Sequence, residues 1–168
     1  MTTAVYPGSF DPITFGHIDV LRRASEVFDR IVVGVLANPR KSPLLPVDER
    51  IRIIRRSVEE HCAAAAPRID VESFAGLTVD FCRAHRARFI VRGLRAISDF
   101  EAEFQLGHAN RKLAPEVDTV FFITSLEHGY VSSSLAREIA QFGGAVEDLV
   151  PAAAAEALRA VFGTSKVT

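Results

Sequence analysis

The chain has no tryptophan, a single methionine and two cysteines, and its charges nearly cancel. A formal net charge of -1 gives the molecule no overall basic field, which argues against a protein that works on nucleic acid. Any recognition of phosphate must therefore be local. The two cysteines, Cys62 and Cys82, lack the close spacing of metal ligands, so we interpret them as reduced, structural thiols.

Long apolar runs are also missing. No stretch approaches the ~20 residues of a membrane span, and the first residues lead almost directly into a predicted strand without a basic and apolar leader. We therefore expect a cytosolic protein with no membrane partner. With 168 residues, 48% of them apolar, the chain can bury a proper core. We expect one domain over 1–168, with a C-terminal helix (151–163) packed on it and a loose tail (164–168).

Short β-branched runs alternate with segments of helical periodicity. The predicted strands are 3–6, 30–36, 69–73, 89–91 and 119–123. The predicted helices are 16–28, 47–61, 77–85, 98–113, 132–142 and 152–162. This alternation predicts an α/β fold, a doubly wound, mainly parallel five-stranded sheet with helices on both faces. Ligands of such sheets bind beyond the carboxyl ends of the strands, so the loops after the strands are the candidate site.

The first of these loops has the build of a phosphate site. A turn punctuated by Gly8 leads from the first strand into a helix, and Gly16 is expected to let the backbone approach a ligand where a Cβ would collide. The helix then points its free N–H groups and partial positive charge at an anion. His17, on the first turn, adds a donor for a phosphoryl oxygen.

Residues 6–17 read YPGSFDPITFGH and resemble the G-x-F-D-P-x-H/T-x-G-H signature of the nucleotidyltransferase superfamily, whose fold is Rossmann-like. Thr14 holds the H/T position. Threonine there is similar to the phosphopantetheine adenylyltransferase family, whereas nicotinate and nicotinamide mononucleotide adenylyltransferases usually carry histidine.

A second block, IVRGLRAISDFEAE at 90–103, closely resembles the R-G-L-R-x-x-x-D-F-E-x-E block of the same family. Arginine suits phosphate because its guanidinium is always charged and binds oxygens in a bidentate manner. We expect Gly93 to adopt an unusual backbone angle in the turn. The resemblance implies that Arg92 holds the phosphate of the pantetheine substrate, while Gly93, Leu94, Arg95 and Glu103 contact ATP.

A third block, VSSSLARE at 131–138, alone predicts a helix N-cap. It also resembles the family's I-S-S-S-x-x-K/R-E segment, where N–H groups and a hydroxyl hold ATP phosphates, so one serine can cap while another binds. Just before it, a His-Gly-Tyr run replaces the aromatic-Ser-Phe of many relatives, and its histidine can stack on or hydrogen-bond adenine. The remaining implied ATP contacts are Ser9, Phe10, His17, His128, Gly129, Tyr130, Val131, Ser132, Ser133 and Ser134.

The resemblance also implies contacts to the acceptor, 4'-phosphopantetheine. Lys41 lies in a proline-stiffened loop and corresponds to a lysine that reaches the phosphates of both substrates, whereas we interpret Arg40 as solvated. The implied acceptor contacts are Ser9, Lys41, Leu77, Thr78 and Arg92.

The activity implied by the resemblance is transfer of the adenylyl group of ATP to 4'-phosphopantetheine, giving dephospho-coenzyme A and pyrophosphate without a covalent intermediate. His17, Lys41 and Arg95 would be catalytic. Mg²⁺ would ride on the ATP phosphates, since no cluster of metal ligands is visible in the chain. The family forms homohexamers, and coenzyme A is an expected feedback inhibitor. Three alternatives remain open: nicotinate mononucleotide adenylyltransferase, glycerol-phosphate cytidylyltransferase and a non-catalytic nucleotide sensor.

Overall fold

The computed structural model describes residues 1–37, 42–95 and 97–163, with backbone only for 97–99. All four strand pairings of its sheet are parallel, in the order β3-β2-β1-β4-β5. The strands are β1 (Thr3–Gly8), β2 (Arg30–Leu36), β3 (Ile69–Phe74), β4 (Phe89–Leu94) and β5 (Asp118–Ile123). The helices are α1 (Phe15–Val27), α2 (Val47–His61), α3 (Thr78–Ala84), α4 (Ile97–Leu113), α5 (Ser133–Gln141) and α6 (Ala152–Phe162). The predicted doubly wound fold is confirmed.

Both faces of the sheet are covered, as near-continuous apolar strands require. Alternate residues of β2 divide between the two faces: Val33 packs with α1, α2 and α6, whereas Val32 packs with α3. Side chains of successive strand residues point to opposite faces, so each apolar run supplies two cores. Cys62 belongs to one core and Cys82 to the other, and both are free thiols. Burial raises the pKa of Cys82 to about 11.

Strand order reverses beside β1, because the chain moves outward through β2 and β3 and then crosses to β4 on the other side. β1 pairs with β2 along six residues but with β4 only at Ala4 and Val5. The carboxyl ends of β1 and β4 therefore lack this pairing, and a cavity lies between the loops that follow them. Ligands of open α/β sheets bind at this topological position.

None of the helices in the described part of the chain is both long and apolar enough to cross a membrane.

Candidate functional site

The cavity at the carboxyl end of β1 and β4 has a volume of about 310 Å³. Its walls come from the loop after β1, the first turn of α1, the end of β4, the middle of α4 and the start of α5. The lining residues are Tyr6, Pro7, Gly8, Ser9, Phe10, Thr14, Gly16, His17, Val20, Arg92, Gly93, Arg95, Glu103, Thr124, Val131, Ser132, Ser133 and Ser134.

The turn after β1 folds an aromatic ring back over the strand end. Phe10 adopts the left-handed backbone region with φ 46°, and a Cβ on Gly8 would lie 2.9 Å from its ring. Glycine at position 8 is therefore required for this ring position. The Phe10 ring packs edge-on against Tyr6 and His17, with centroid distances of 5.4 and 5.1 Å, and so fixes one side of the histidine.

The first turn of α1 fixes the histidine's hydrogen bonding. Thr14 is the N-cap, and its hydroxyl accepts the His17 backbone N–H at 3.4 Å. In return, the backbone N–H of Thr14 donates to His17 Nδ1 at 3.0 Å. This is a capping box with histidine in the place usually held by glutamate or glutamine. The N–H of Gly16 has no acceptor among the described residues and lies at the cavity.

His17 is neutral near physiological pH. Burial lowers the pKa of His17 to about 4, with further lowering from the positive charges of Arg95 and Arg92. A neutral imidazole carries one proton, and Nδ1 already accepts a hydrogen bond from the backbone. The proton therefore resides on Nε2, which makes this atom a fixed donor.

Two arginines from the end of β4 and the turn after it approach the cavity in different states. Arg92 is held by Glu103 of α4, with Nε 2.6 Å from a carboxylate oxygen, and donates to the Pro7 carbonyl at 3.1 Å. Arg95 is exposed and donates to the Val131 carbonyl at 3.3 Å. One guanidinium is thus held rigidly in the wall, while the other lies at the cavity's open side.

The expected unusual backbone angle at Gly93 is wrong. Gly93 lies within β4, and the glycines with positive φ in the described chain are Gly76 and Gly143. Space is the relevant property instead, since a Cβ on Gly93 would lie 3.1 Å from a Val20 methyl group and 3.8 Å from the Thr124 hydroxyl. The bare backbone keeps this part of the wall flat.

The start of α5 brings three hydroxyls to the same cavity, and each has a separate task. Ser132 caps the helix by accepting the Leu135 N–H at 3.1 Å. Ser133 donates to the Pro12 carbonyl at 2.7 Å, and Ser134 accepts from Arg137 at 3.3 Å. The backbone N–H groups of Ser133 and Ser134 have no acceptor within the described chain, so a second helix N-terminus faces the cavity with free donors.

Behind the cavity, Asp11 holds the neighbouring loops together. Its buried carboxylate accepts the backbone N–H groups of Leu44 and Leu45 at 2.8 and 2.9 Å. Arg137 of α5 donates to the Asp11 carbonyl and lies 3.4 Å from its carboxylate. The loop after β2 and the start of α5 are therefore both fixed to the turn after β1.

This arrangement has the chemistry of a polyphosphate site: a fixed imidazole donor, two guanidinium groups and two helix N-termini around one cavity. A family model described as cytidylyltransferase-like matches residues 5–139. A phosphopantetheine adenylyltransferase of Heliobacterium modesticaldum is 52% identical over 153 residues, which cover 91% of this chain and 88% of that protein. Another, from Caldanaerobacter subterraneus subsp. tengcongensis, is 46% identical over 98% of this chain and 100% of its own length.

The chain belongs to the phosphopantetheine adenylyltransferase family. Solved structures with the same fold include Plasmodium falciparum nicotinic acid mononucleotide adenylyltransferase in complexes with NaAD and with APC. They superpose with TM-scores of 0.73 and 0.71 over 94% of each chain, at 16% identity. At this identity the likeness concerns the fold alone.

Most of the residues that the family resemblance singles out meet in the cavity. Several predicted contact residues do not line the cavity. Leu94 is the last residue of β4 and pairs with Ile123. The residues before and at the start of α3, Leu77 and Thr78, lie outside the cavity lining, and Leu77 is exposed. Lys41 lies outside the described residues.

The predicted adenine-binding run also lies outside the lining of the cavity. His128 stacks on Phe15, with ring centroids 5.9 Å apart and planes at 24°. Gly129 ends the short 3-10 turn Leu126–His128, and Tyr130 is largely exposed. These three residues form an open rim next to the first turn of α1.

Seven lining residues were absent from the predicted ATP and acceptor contacts: Tyr6, Pro7, Gly8, Thr14, Gly16, Val20 and Thr124. A signal existed for Thr14, since a threonine three residues before His17 has the spacing of a capping box. Tyr6 is buried, and desolvation raises its pKa above the usual range for tyrosine, so its phenol is neutral. Nothing in the sequence distinguishes Val20 and Thr124 from ordinary helix and loop residues.

Proposed function

We propose that this chain transfers the adenylyl group of ATP to 4'-phosphopantetheine, giving dephospho-coenzyme A and pyrophosphate. One observation carries the proposal: the Nε2–H of His17, the guanidinium groups of Arg92 and Arg95, and the N-termini of α1 and α5 surround one cavity. Relatives that are 46–52% identical across nearly the whole chain bear the name of this activity.

In the proposed reaction, an oxygen of the acceptor's phosphate attacks the α-phosphorus of ATP. A new P–O bond forms as the bond from the α-phosphorus to the pyrophosphate oxygen breaks, and pyrophosphate leaves with that electron pair. The attacking oxygen is already anionic, so no general base is required, and catalysis consists of alignment and charge stabilisation. A neutral His17 suits this scheme because it serves as a donor and not as a base.

His17 donates from Nε2 to an oxygen of the α-phosphate as charge develops there. Arg95 and the free N–H groups at the start of α5 bind the other ATP phosphates, and we propose the same for Lys41. Arg92 and Ser9 hold the acceptor phosphate. Mg²⁺ supplies further neutralisation when bound, and we propose that it arrives on ATP. Within the described chain, no three His, Cys, Asp or Glu side chains are grouped as metal ligands.

The test is release of pyrophosphate with 4'-phosphopantetheine, nicotinate mononucleotide or glycerol phosphate as acceptor and ATP or CTP as donor. We expect turnover with ATP and 4'-phosphopantetheine. Faster turnover with either other acceptor would replace the proposed substrate, and tight ATP binding without turnover would indicate a nucleotide sensor. Arg95→Ala is expected to raise the KM for ATP. Arg111→Ala is the matched control, because Arg111 is exposed and pairs with Asp118 at 2.9 Å.

We further propose that the protein works in the cytosol as a homohexamer and that coenzyme A inhibits it by occupying the acceptor site. Coenzyme A contains the pantetheine arm of the acceptor, so inhibition should be competitive with 4'-phosphopantetheine. Sedimentation velocity measures the assembly, and a sedimenting monomer would contradict the hexamer.

A further inference from the structure

The guanidinium of Arg92 is held from two directions in the cavity wall. Glu103 binds it side-on through both carboxylate oxygens, with the Nε contact at 2.6 Å. The Pro7 carbonyl accepts from Nη1 at 3.1 Å. The side chains of Arg92 and Glu103 are only 24% and 18% exposed. This arginine is therefore fixed before any substrate binds.

The hydrogen-bond inventory leaves part of this guanidinium unused. Arginine has five N–H donors, and the contacts to Glu103 and Pro7 use three of them. Within the described chain two donors remain, one on each terminal nitrogen, and Arg92 lines the cavity. A guanidinium with a donor left on each terminal nitrogen can bind the oxygens of a phosphate.

A contribution to folding stability does not by itself explain the ion pair between Arg92 and Glu103. A largely buried pair gains little over well-packed apolar side chains, because desolvation offsets the Coulomb attraction. Burial acts to lower the pKa of Arg92, and the hydrogen bond and charge of Glu103 outweigh it, so the pKa lies above its usual value. Glu103 thus keeps a charged group in a wall where it would otherwise be poorly solvated.

Arg95, in the turn after β4, is exposed and donates to the Val131 carbonyl at 3.3 Å. In-line attack needs the nucleophile held within a narrow range of positions. Arg92, held in the cavity wall by Glu103 and the Pro7 carbonyl, has the rigidity to provide this.

We propose that Glu103 is a positioning residue, whose carboxylate orients the guanidinium of Arg92 so that its two remaining N–H groups hold the phosphate of the acceptor. The inference rests on the proposed function and deepens it. It also gives Glu103 a task different from the ATP contact that the family resemblance implies.

The test compares both Michaelis constants in Glu103→Gln. Glutamine keeps the shape, but its amide NH₂ opposes one Arg92 donor. We expect the KM for 4'-phosphopantetheine to rise about tenfold, as for loss of one charge-assisted hydrogen bond, and the KM for ATP to change less than about twofold. Glu101→Gln, the same change at an exposed position of α4, should alter neither constant. Glu103→Asp retains the charge and should give a smaller rise.

A double-mutant cycle with Arg92→Lys separates positioning from independent binding. Lysine keeps the charge but lacks the fork, so adding Glu103→Gln to Arg92→Lys should change the acceptor KM little further. Urea unfolding of each variant reports stability separately.

Three results would overturn the inference: a rise confined to the KM for ATP, additive losses in the cycle, or lower stability with both Michaelis constants unchanged. Wild-type turnover in the same assay tests the proposed function separately. Its absence would overturn that function, and this inference with it, whereas a normal wild type beside an unaltered acceptor KM in Glu103→Gln would overturn only the inference.

Discussion

Two groups of polar side chains lie on either side of the turn after β1, and they use their hydrogen bonds differently. The frame, Asp11 and Arg50, turns its polar atoms to the protein: Arg50 is 3% exposed and donates to the carbonyls of Leu45, Ser9 and Leu36. The reactive wall, His17 with Arg92 and Arg95, turns donors toward a cavity. Arg50 is almost fully buried and ties three backbone carbonyls together, whereas Arg92 is 24% exposed and lines the cavity at the carboxyl ends of β1 and β4.

We expect the largest loss of stability from a substitution in the frame. Asp11→Ala leaves the buried N–H of Leu45 and the part-buried N–H of Leu44 without their acceptor, and each such group costs up to roughly 1–3 kcal/mol. We expect the free energy of unfolding to fall by about 3 kcal/mol, together with lower activity, because the loops that carry the site lose their anchor. Urea unfolding measures the first effect. Asp11→Asn retains one acceptor oxygen and should lose less stability. An unchanged urea midpoint in Asp11→Ala would contradict the supporting role that we assign to Asp11.

At the wall, the expected loss is in catalysis. His17→Ala removes the Nε2–H donor, so kcat should fall by ~10² or more while KM changes little. Steady-state kinetics at saturating ATP and 4'-phosphopantetheine measures this. His108→Ala is the control, because that histidine is exposed on α4 and packs on Phe104. A near-normal kcat in His17→Ala would remove this residue from the mechanism.

The lowered pKa of His17 predicts a specific pH dependence of stability. The unfolded chain binds a proton at position 17 below about pH 6.5, whereas the folded protein does so only near pH 4. Folding is therefore increasingly disfavoured by this group as pH falls from 6.5 to 4. Between pH 7 and pH 5 we expect its contribution to cost about 2 kcal/mol, at 1.36 kcal/mol per pKa unit.

Urea unfolding of the wild type and of His17→Gln at both pH values measures that contribution, since glutamine does not titrate. Equal losses in the two proteins would contradict the lowered pKa. The same pKa implies that the pH profile of kcat/KM for the free enzyme has no acid limb near pH 6.5 from His17.

Substitutions of two glycines should separate an effect on stability from an effect on ligand binding. A Cβ on Gly34 of β2 would lie 2.6 Å from a Phe81 ring atom, whereas a Cβ on Gly16 would lie 3.6 Å from its nearest neighbour. We expect Gly34→Ala to lower stability by about 1–3 kcal/mol, as overpacking does. Gly16→Ala should leave stability within about 0.5 kcal/mol but raise the KM for ATP, because the new methyl group stands where a phosphate approaches. Thermal unfolding and steady-state kinetics of both variants measure these effects. An unaltered KM for ATP in Gly16→Ala would show that no phosphate comes close to Gly16.

The five strands and six helices could be predicted from the sequence because buried parallel strands are nearly all apolar and the helices between them keep their 3.6-residue period. The three blocks of the candidate site could be located as well, since glycine turns, paired arginines and serine caps leave local signals. His17, for example, stands at the first turn of α1 as expected.

Partner choice could not be predicted, because it depends on residues that are distant in the chain. Nothing local indicates that Arg92 meets Glu103 eleven positions later, or that Asp11 caps the loop at Leu44. The prediction for Gly93 was wrong for a related reason. A side chain at this position would be crowded by Val20 of α1, and neighbouring residues in the chain do not indicate this contact. Three-dimensional packing supplies this information.

The main-chain N–H and the hydroxyl of Thr14 both lie 3.0 Å from His17 Nδ1. Any substitution at position 14 other than serine or proline removes the hydroxyl but keeps the main-chain donor, so the imidazole proton stays on Nε2. The proposed donor to the reacting phosphate is thus protected against most mutations of the residue that begins its helix, and such variants should lose helix stability before they lose the correct tautomer.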